Sequence, residues 1–208
     1  MYPRVTGEEI YIFTKPARII VSGASASGKS FFVSRLIRKY RSKFDRIIVI
    51  GASLENIEDL GVTRDDSFNP LVEDLSGNTL VVFDDVICSK DKLKIAAETY
   101  TRGRHLGLSS ILLTQNLYYP DPNYRLISLN STHIIVFRNR DIKQISCFAR
   151  TFLENEDVKM FVNLYKKNVM NVKHGYIMVD FLKNTNDPLN IRTSVVNEGF
   201  EKAFKLRN

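Results

Sequence analysis

Eight consecutive residues, Gly23-Ala24-Ser25-Ala26-Ser27-Gly28-Lys29-Ser30, have the spacing G-x-x-x-x-G-K-S of a phosphate-binding loop. Main-chain N–H groups in such a loop turn inward onto phosphate oxygens, and the start of the following helix adds positive potential. In this reading Gly23 and Gly28 permit turns that a Cβ would obstruct. Lys29 reaches the β- and γ-phosphates, and the Ser30 hydroxyl helps to hold Mg2+. The bland alternative is a Gly/Ser turn. A second chemical feature lies downstream, where the apolar run Thr79-Leu80-Val81-Val82-Phe83 ends in two carboxylates, Asp84 and Asp85. Asp84 is suited to orienting Mg2+ through its water shell, and Asp85 to polarising an attacking water as general base. A pair of acids in that position is also compatible with a simple cap on the next helix. Further on, Ser110-Ile111-Leu112-Leu113-Thr114 ends in Gln115, an amide able to sit between a terminal phosphate and the attacking water, or merely a polar residue closing a strand.

These groups act together only if strands and helices carry them to one place. Ile19-Ile20-Val21 before the loop, Ile47-Ile48-Val49-Ile50, the run ending at Asp84, the run ending at Gln115 and His133-Ile134-Ile135-Val136-Phe137 are continuous apolar segments, the pattern of parallel strands buried on both faces. Between the first two, Val33, Leu36, Ile37, Tyr40 and Phe44 recur at helical spacing. The interleaved Arg35, Arg38, Lys39, Arg41 and Lys43 read as a solvated outer face in preference to a DNA contact. Ala52 to Ser76 is acidic and turn-rich, which predicts short helices and loops without a core strand. Lys90 to Tyr100 is helical with Leu93, Ala96 and Ala97 inward. The stretch from Tyr118 to Arg125 reads as a rigid aromatic loop, and two amphipathic segments follow, one with Ile145, Phe148 and Ala149, the other from Glu156 to Asn168. Ile10-Tyr11-Ile12-Phe13 predicts a short edge strand, Tyr176 to Phe181 a closing strand, and the remainder to Asn208 a loosely packed polar tail. There are no internal repeats and no low-complexity tract.

The 208 residues, 44% hydrophobic and 25% charged, suit one α/β domain over 1–208, with a core at about 18–150 and an extension over 151–208. No apolar run approaches the ~18 to 20 residues that span a bilayer, and Met1-Tyr2-Pro3-Arg4 lacks the apolar centre of a signal peptide, so an intracellular protein without membrane partners is expected. Cys88 and Cys147 have no metal-ligand spacing and predict reduced, partly buried thiols. His105, His133 and His174 are scattered, which argues against a zinc site. A net charge of +7 favours a polyanionic partner.

The order of motifs, a phosphate loop with Lys29-Ser30, a strand ending Asp84-Asp85, the step Gly103-Arg104-x-x-Gly107 and a strand ending Gln115, resembles the FtsK/HerA superfamily of DNA-pumping ATPases. Within it, the short chain and the run from Gly103-Arg104-His105 through Gln115-Asn116-Leu117 look like the genome-packaging ATPases of double-stranded DNA viruses and virus-like transposons. The resemblance covers about residues 18 to 150. It implies a three-layer α/β/α P-loop NTPase with a mainly parallel sheet of the RecA-like additional-strand type. It further implies ATP and Mg2+ held by Gly23 to Ser30 and Asp84, with Gln115 as polar sensor. Arg104 falls where such relatives carry an arginine finger for the neighbouring subunit, with Arg102 and Arg125 as competitors. Many superfamily members have Asp-Glu where this chain has Asp84-Asp85, and the shorter Asp85 side chain sets its carboxylate about one methylene further back. The resemblance implies a homo-oligomeric ring on double-stranded DNA, capsid proteins as partners, and action in the host nucleus or a cytoplasmic assembly site, with association with the virion also open. Basic residues of the Tyr118 to Arg125 and Arg138 to Lys143 stretches are its candidate phosphate-backbone contacts. The alternatives are a conjugation- or segregation-type DNA pump and a small-molecule P-loop kinase. Those pumps usually bring membrane segments or extra domains, and such kinases need a mobile arginine-bearing lid.

Overall fold

The structure, a computed structural model, describes residues 12–13, 15–51, 54, 57–70, 77–153, 155–182, 191–193 and 202–204. The apolar runs form the strands β1 (Arg18–Ser22), β2 (Arg46–Ile50), β4 (Thr79–Asp84), β5 (Leu108–Thr114), β6 (His133–Phe137) and β7 (Tyr176–Asp180), and three short strands add to them, β3 (Thr63–Arg64), β8 (Ile191–Thr193) and β9 (Lys202–Phe204). They make one nine-stranded sheet in the order β3-β2-β4-β5-β1-β6-β7-β8-β9. Every pairing from β3 to β6 is parallel, and β7 to β9 are antiparallel additions.

Alternate residues of the central strands feed two separate cores, as the two-residue period of a strand requires. Ile19, Val21, Ile47, Val49, Leu80, Val82, Ile111 and Leu113 pack with Phe32, Val33, Leu36, Ile37 and Tyr40 of α1 (Lys29–Tyr40) on one face. Ile20, Ile48, Val81, Phe83, Leu112 and Ile134 pack on the other against α2 (Lys90–Arg102), α3 (Pro122–Asn130), α4 (Ile142–Arg150) and α5 (Asn155–Tyr165). The expected three layers are therefore present. The expected insertion is present too, because β5 lies between β1 and β4.

Four local expectations change. Ile12 and Phe13 form a turn rather than a strand, with the Phe13 ring edge-on to Tyr40 and Phe44; Ile10 and Tyr11 lie outside the described residues. The segment predicted as a loop as far as Arg125 becomes α3 at Pro122, because the Asp121 side chain accepts from the Asn123 N–H at 2.7 Å and proline suits the first helical position. The predicted polar tail contributes β8, whose Ile191, Arg192 and Thr193 are buried, and β9, each only three residues long, which is too short for periodicity to reveal. Cys88 and Cys147 are free thiols as expected, but exposed. Between Ala52 and Ser76, the described residues hold a single turn of helix at Glu58–Leu60 and the two-residue edge strand β3, in keeping with a connection rather than a core strand. Of its flanking cations, Arg38 pairs with Asp59 at 2.9 Å, and Arg41 donates to the Leu60 and Phe44 carbonyls, so the basic face of α1 secures its own connection. No helix among the described residues is long and apolar enough to cross a membrane.

Candidate nucleotide site

Parallel strands bring all their carboxyl ends to one edge of the sheet. In register, Ser22 of β1 lies beside Thr114 of β5, and Leu113 beside Asp84 of β4. The residues that follow, Gly23 and Gln115, therefore leave the sheet side by side, with the Asp84-Asp85 tip on the far side of Gln115. The loop is tied to both of its neighbours. The Gly23 N–H donates to the Thr114 carbonyl at 3.1 Å, and the Ala24 N–H to the Arg138 carbonyl beyond β6 at 2.8 Å.

The loop then closes on itself through the Ser27 N–H, which donates to the Ala24 carbonyl at 3.2 Å, and enters α1 at Gly28, whose φ of 105° is open to glycine and strained for other residues. Helices α2, α3 and α4 each start with a side-chain cap, from Ser89, Asp121 and Asp141. α1 has none and carries no acidic residue in its first turn, so its positive end is left for an anion. The Ser27 Oγ is buried without a hydrogen-bond partner, a further polar group turned into the loop.

Lys29 bends back across the loop and donates from Nζ to the Gly23 carbonyl at 2.7 Å and the Ala24 carbonyl at 3.0 Å. Burial pushes its ammonium below the usual lysine range, and the charges of Asp84 and then Asp85 pull it up. With the strand register, that pull agrees with the lysine and both carboxylates lying at the same edge of the sheet. Asp84 ends β4 with only 6% of its surface exposed, whereas Asp85 is exposed and has a left-handed backbone at φ 53°. The Asp85 side chain makes no capping hydrogen bond to the helical turn after it, so the capping alternative for this residue falls away. Gln115 is exposed at the end of β5. The turn beyond it is pinned by the Leu117 N–H to Gln144 Oε1 at 3.4 Å, and by the Tyr124 hydroxyl, which donates to the Asn116 and Leu117 carbonyls.

Among the described residues, Ala26, Asp85 and His174 are the non-glycine residues with left-handed φ, and each lies at this edge. Such strain persists where the surroundings enforce it, and it clusters at ligand sites. The first two belong to motifs legible in the sequence. His174 does not. It follows the π-helical turn Lys166–Met170 and sets its ring over the loop, with Nδ1 3.5 Å from the Ser27 carbonyl. Gly175, just before β7, was the available signal: a Cβ there would stand 2.2 Å from the Asn168 carbonyl, so the chain can make this turn only with glycine.

Asn139 and Tyr165 were also missed. The Tyr165 hydroxyl accepts from the Asn139 N–H at 2.8 Å and donates to the Phe137 carbonyl at 3.0 Å, fixing the turn whose Arg138 carbonyl holds the phosphate loop.

Arg104 is not part of this cluster. It is exposed in the helical turn Gly103–Leu106, before β5 begins, and its charge acts on Arg18 at the start of β1. The length of β5, roughly 20 Å, separates it from its own phosphate loop. Arg102 ends α2 near the same edge, while Arg125 is exposed in the first turns of α3, which follows the turn leaving β5.

Residues 64–197, more than half of the sequence, match the family of the Poxvirus A32 protein. The chain belongs to this Poxvirus A32 family. The matched region takes in Asp84, Asp85, Arg104 and Gln115; the phosphate loop lies upstream of it. The family membership agrees with the viral branch to which the motif order pointed. No curated protein sequence matches the chain.

Solved structures show the same fold. B204, the DNA-packaging ATPase from Sulfolobus turreted icosahedral virus, is similar with a TM-score of 0.57 and 15% identity over 94% of this chain and 100% of that one. The genome packaging NTPase B204 from Sulfolobus turreted icosahedral virus 2, in complex with ATP-gammaS, gives a TM-score of 0.56 and 17% identity over 94% and 100%. The cytoplasmic domain of the Thermomonospora curvata type VII secretion ATPase EccC gives 0.55 and 13%, over 91% of this chain and 25% of that one.

Proposed function

We propose that this A32-family chain is an ATP-hydrolysing motor that drives double-stranded DNA into a viral capsid, working as a homo-oligomeric ring inside the infected cell. The observation that carries the reading is β5 lodged between β1 and β4, which sets Gln115 between the phosphate loop and the carboxylates whose charges act on Lys29. Membership of a poxvirus family and the shared fold with the DNA-packaging ATPase B204 support the choice of DNA as cargo. The +7 charge agrees with it.

In this mechanism the loop amides and the end of α1 receive the β- and γ-phosphates, and Lys29 exchanges its bonds to the Gly23 and Ala24 carbonyls for phosphate oxygens. Ser30, in the first turn of α1, and Asp84, buried at the end of β4, are hard oxygen donors that fit Mg2+, and no cluster of three or more His, Cys, Asp or Glu among the described residues competes for it. A magnesium ion bound there would neutralise charge on the β- and γ-phosphates. Gln115 orients the attacking water and Asp85 accepts its proton as the water oxygen bonds to the γ-phosphorus. The bond to the bridging oxygen breaks, leaving ADP and inorganic phosphate. Arg104, remote from its own site, serves the neighbouring subunit by stabilising charge on the transferring phosphoryl group. A finger supplied this way requires head-to-tail interfaces, and a ring closes them. The basic stretches at Arg125 and at Arg138 to Lys143 face the DNA backbone.

Displacement of a third strand annealed to long duplex DNA tests the reading. The purified chain is expected to release that strand with ATP and not with a nonhydrolysable analogue. Phosphate transfer to a nucleoside, with no strand released, would replace the motor with a kinase.

A further inference from the structure

The cleft fixes the direction in which a bound triphosphate runs. On one side of β1 stand β5 and β4 with Gln115, Asp84 and Asp85, and on the other stand β6 and β7. Because the terminal phosphate must meet the carboxylates, the nucleoside end passes over the first turn of α1 toward the β6–β7 side. Two aromatic rings stand there. Phe31, immediately after Ser30, is 58% exposed and outside the buried face of α1. His174 presses on Gly28, where a Cβ would lie 2.6 Å from Nδ1. The ring centroids are 5.9 Å apart with the planes tilted by 35°, a loose contact that leaves ring surface for a third aromatic group. The Arg35 guanidinium lies 5.7 Å from the Phe31 centroid and adds a cation to the same patch. Val172 and Met170, in the turn that delivers His174, are exposed as well.

Nothing in core packing accounts for an open phenylalanine beside a phosphate loop and a histidine held in a strained backbone. We infer that Phe31 and His174 form the platform on which the base of the bound nucleotide rests, an assignment that depends on the nucleotide reading of the cleft. Stacking reads the face of a base rather than its edge, so the platform accepts purines generally and prefers them to a bare phosphate chain.

Calorimetric titration of the full chain with ATP and with inorganic tripolyphosphate separates the two ends of the ligand. Phe31→Ala is expected to weaken ATP binding about tenfold while leaving tripolyphosphate affinity unchanged. His174→Ala acts in the same sense, and Phe31→Trp keeps the wild-type ATP affinity, which guards against a folding defect. Unchanged ATP affinity in Phe31→Ala, or equal weakening of both ligands, overturns the platform while leaving the phosphate site intact. If the wild-type chain binds neither ligand, the nucleotide reading falls and the platform with it.

Discussion

The two edges of the parallel sheet differ in what they hold. The carboxyl edge gathers the phosphate loop, Lys29, Asp84, Asp85, Gln115 and the three strained non-glycine residues, close enough for the lysine to respond to both acids. The amino edge holds Arg104, Arg18, and the buried His133 with Asp180 and Arg192 near it. In the proposed mechanism one edge binds the triphosphate and activates water. The other presents cations too far from that site to serve it within the same subunit. Under the proposed mechanism the difference would make activity depend on assembly, with Arg104 of one copy serving the site of another.

Substitutions at the two edges should separate these roles. Lys29→Ala removes the cation that the proposed mechanism sets against the phosphates, and ATP turnover is expected to fall on the order of 10³-fold or more; retention within tenfold of wild type would break the assignment of the carboxyl edge. Arg104→Ala should cost a similar ~10³-fold in turnover without weakening ATP binding. Mixing it with Lys29→Ala subunits should restore part of the rate, and no recovery at any ratio would remove the amino edge from catalysis.

Tyr165→Phe sharpens the comparison in a different way. Losing the hydroxyl leaves the Asn139 N–H without its acceptor beneath the turn that holds the loop, which costs about 1–3 kcal/mol in denaturant unfolding. A loss indistinguishable from zero would mean that this bracing is dispensable.

The smallest effect belongs to the amino edge. Burial pushes the His133 imidazole below its usual value, Asp180 at 3.6 Å pulls it up, and Arg192 pushes it down again. The unfolded chain takes up that proton near pH ~6.5 and the folded chain resists, so this contribution is complete above ~6.5 and is lost as pH falls through it toward the folded value. The slope is at most ~1.4 kcal/mol per pH unit for one group. Thermal melts of His133→Gln between pH 7.5 and 5.5 should show a shallower decline than wild type, and equal declines would exclude His133 as the source.

The sequence spoke most clearly where one segment carries its own signal. The phosphate loop, the apolar strands and the Asp84-Asp85 tip depend on local spacing and on burial of both sheet faces, which long β-branched runs record directly. The helical start at Pro122 was also written locally, in Asp121 and Pro122, but Pro120-Asp121-Pro122 equally spells a turn. The placement of His174 could not be read. It depends on a π-helical turn, on the close approach at Gly175 and on antiparallel pairing of β7 with β6, and these are relations between distant segments. The β8 and β9 strands were hidden for a similar reason: three residues hold an extended shape in each because β7 offers an edge to β8, and β8 offers one to β9. The remoteness of Arg104 from its own site follows from strand direction, which the motif order alone does not display.

The most direct test is steady-state ATP turnover by the purified wild-type chain with and without long duplex DNA, using Lys29→Ala as the zero. The account predicts Mg2+-dependent hydrolysis that rises when duplex is added and disappears in the variant. Turnover indifferent to both duplex and Lys29 would contradict it.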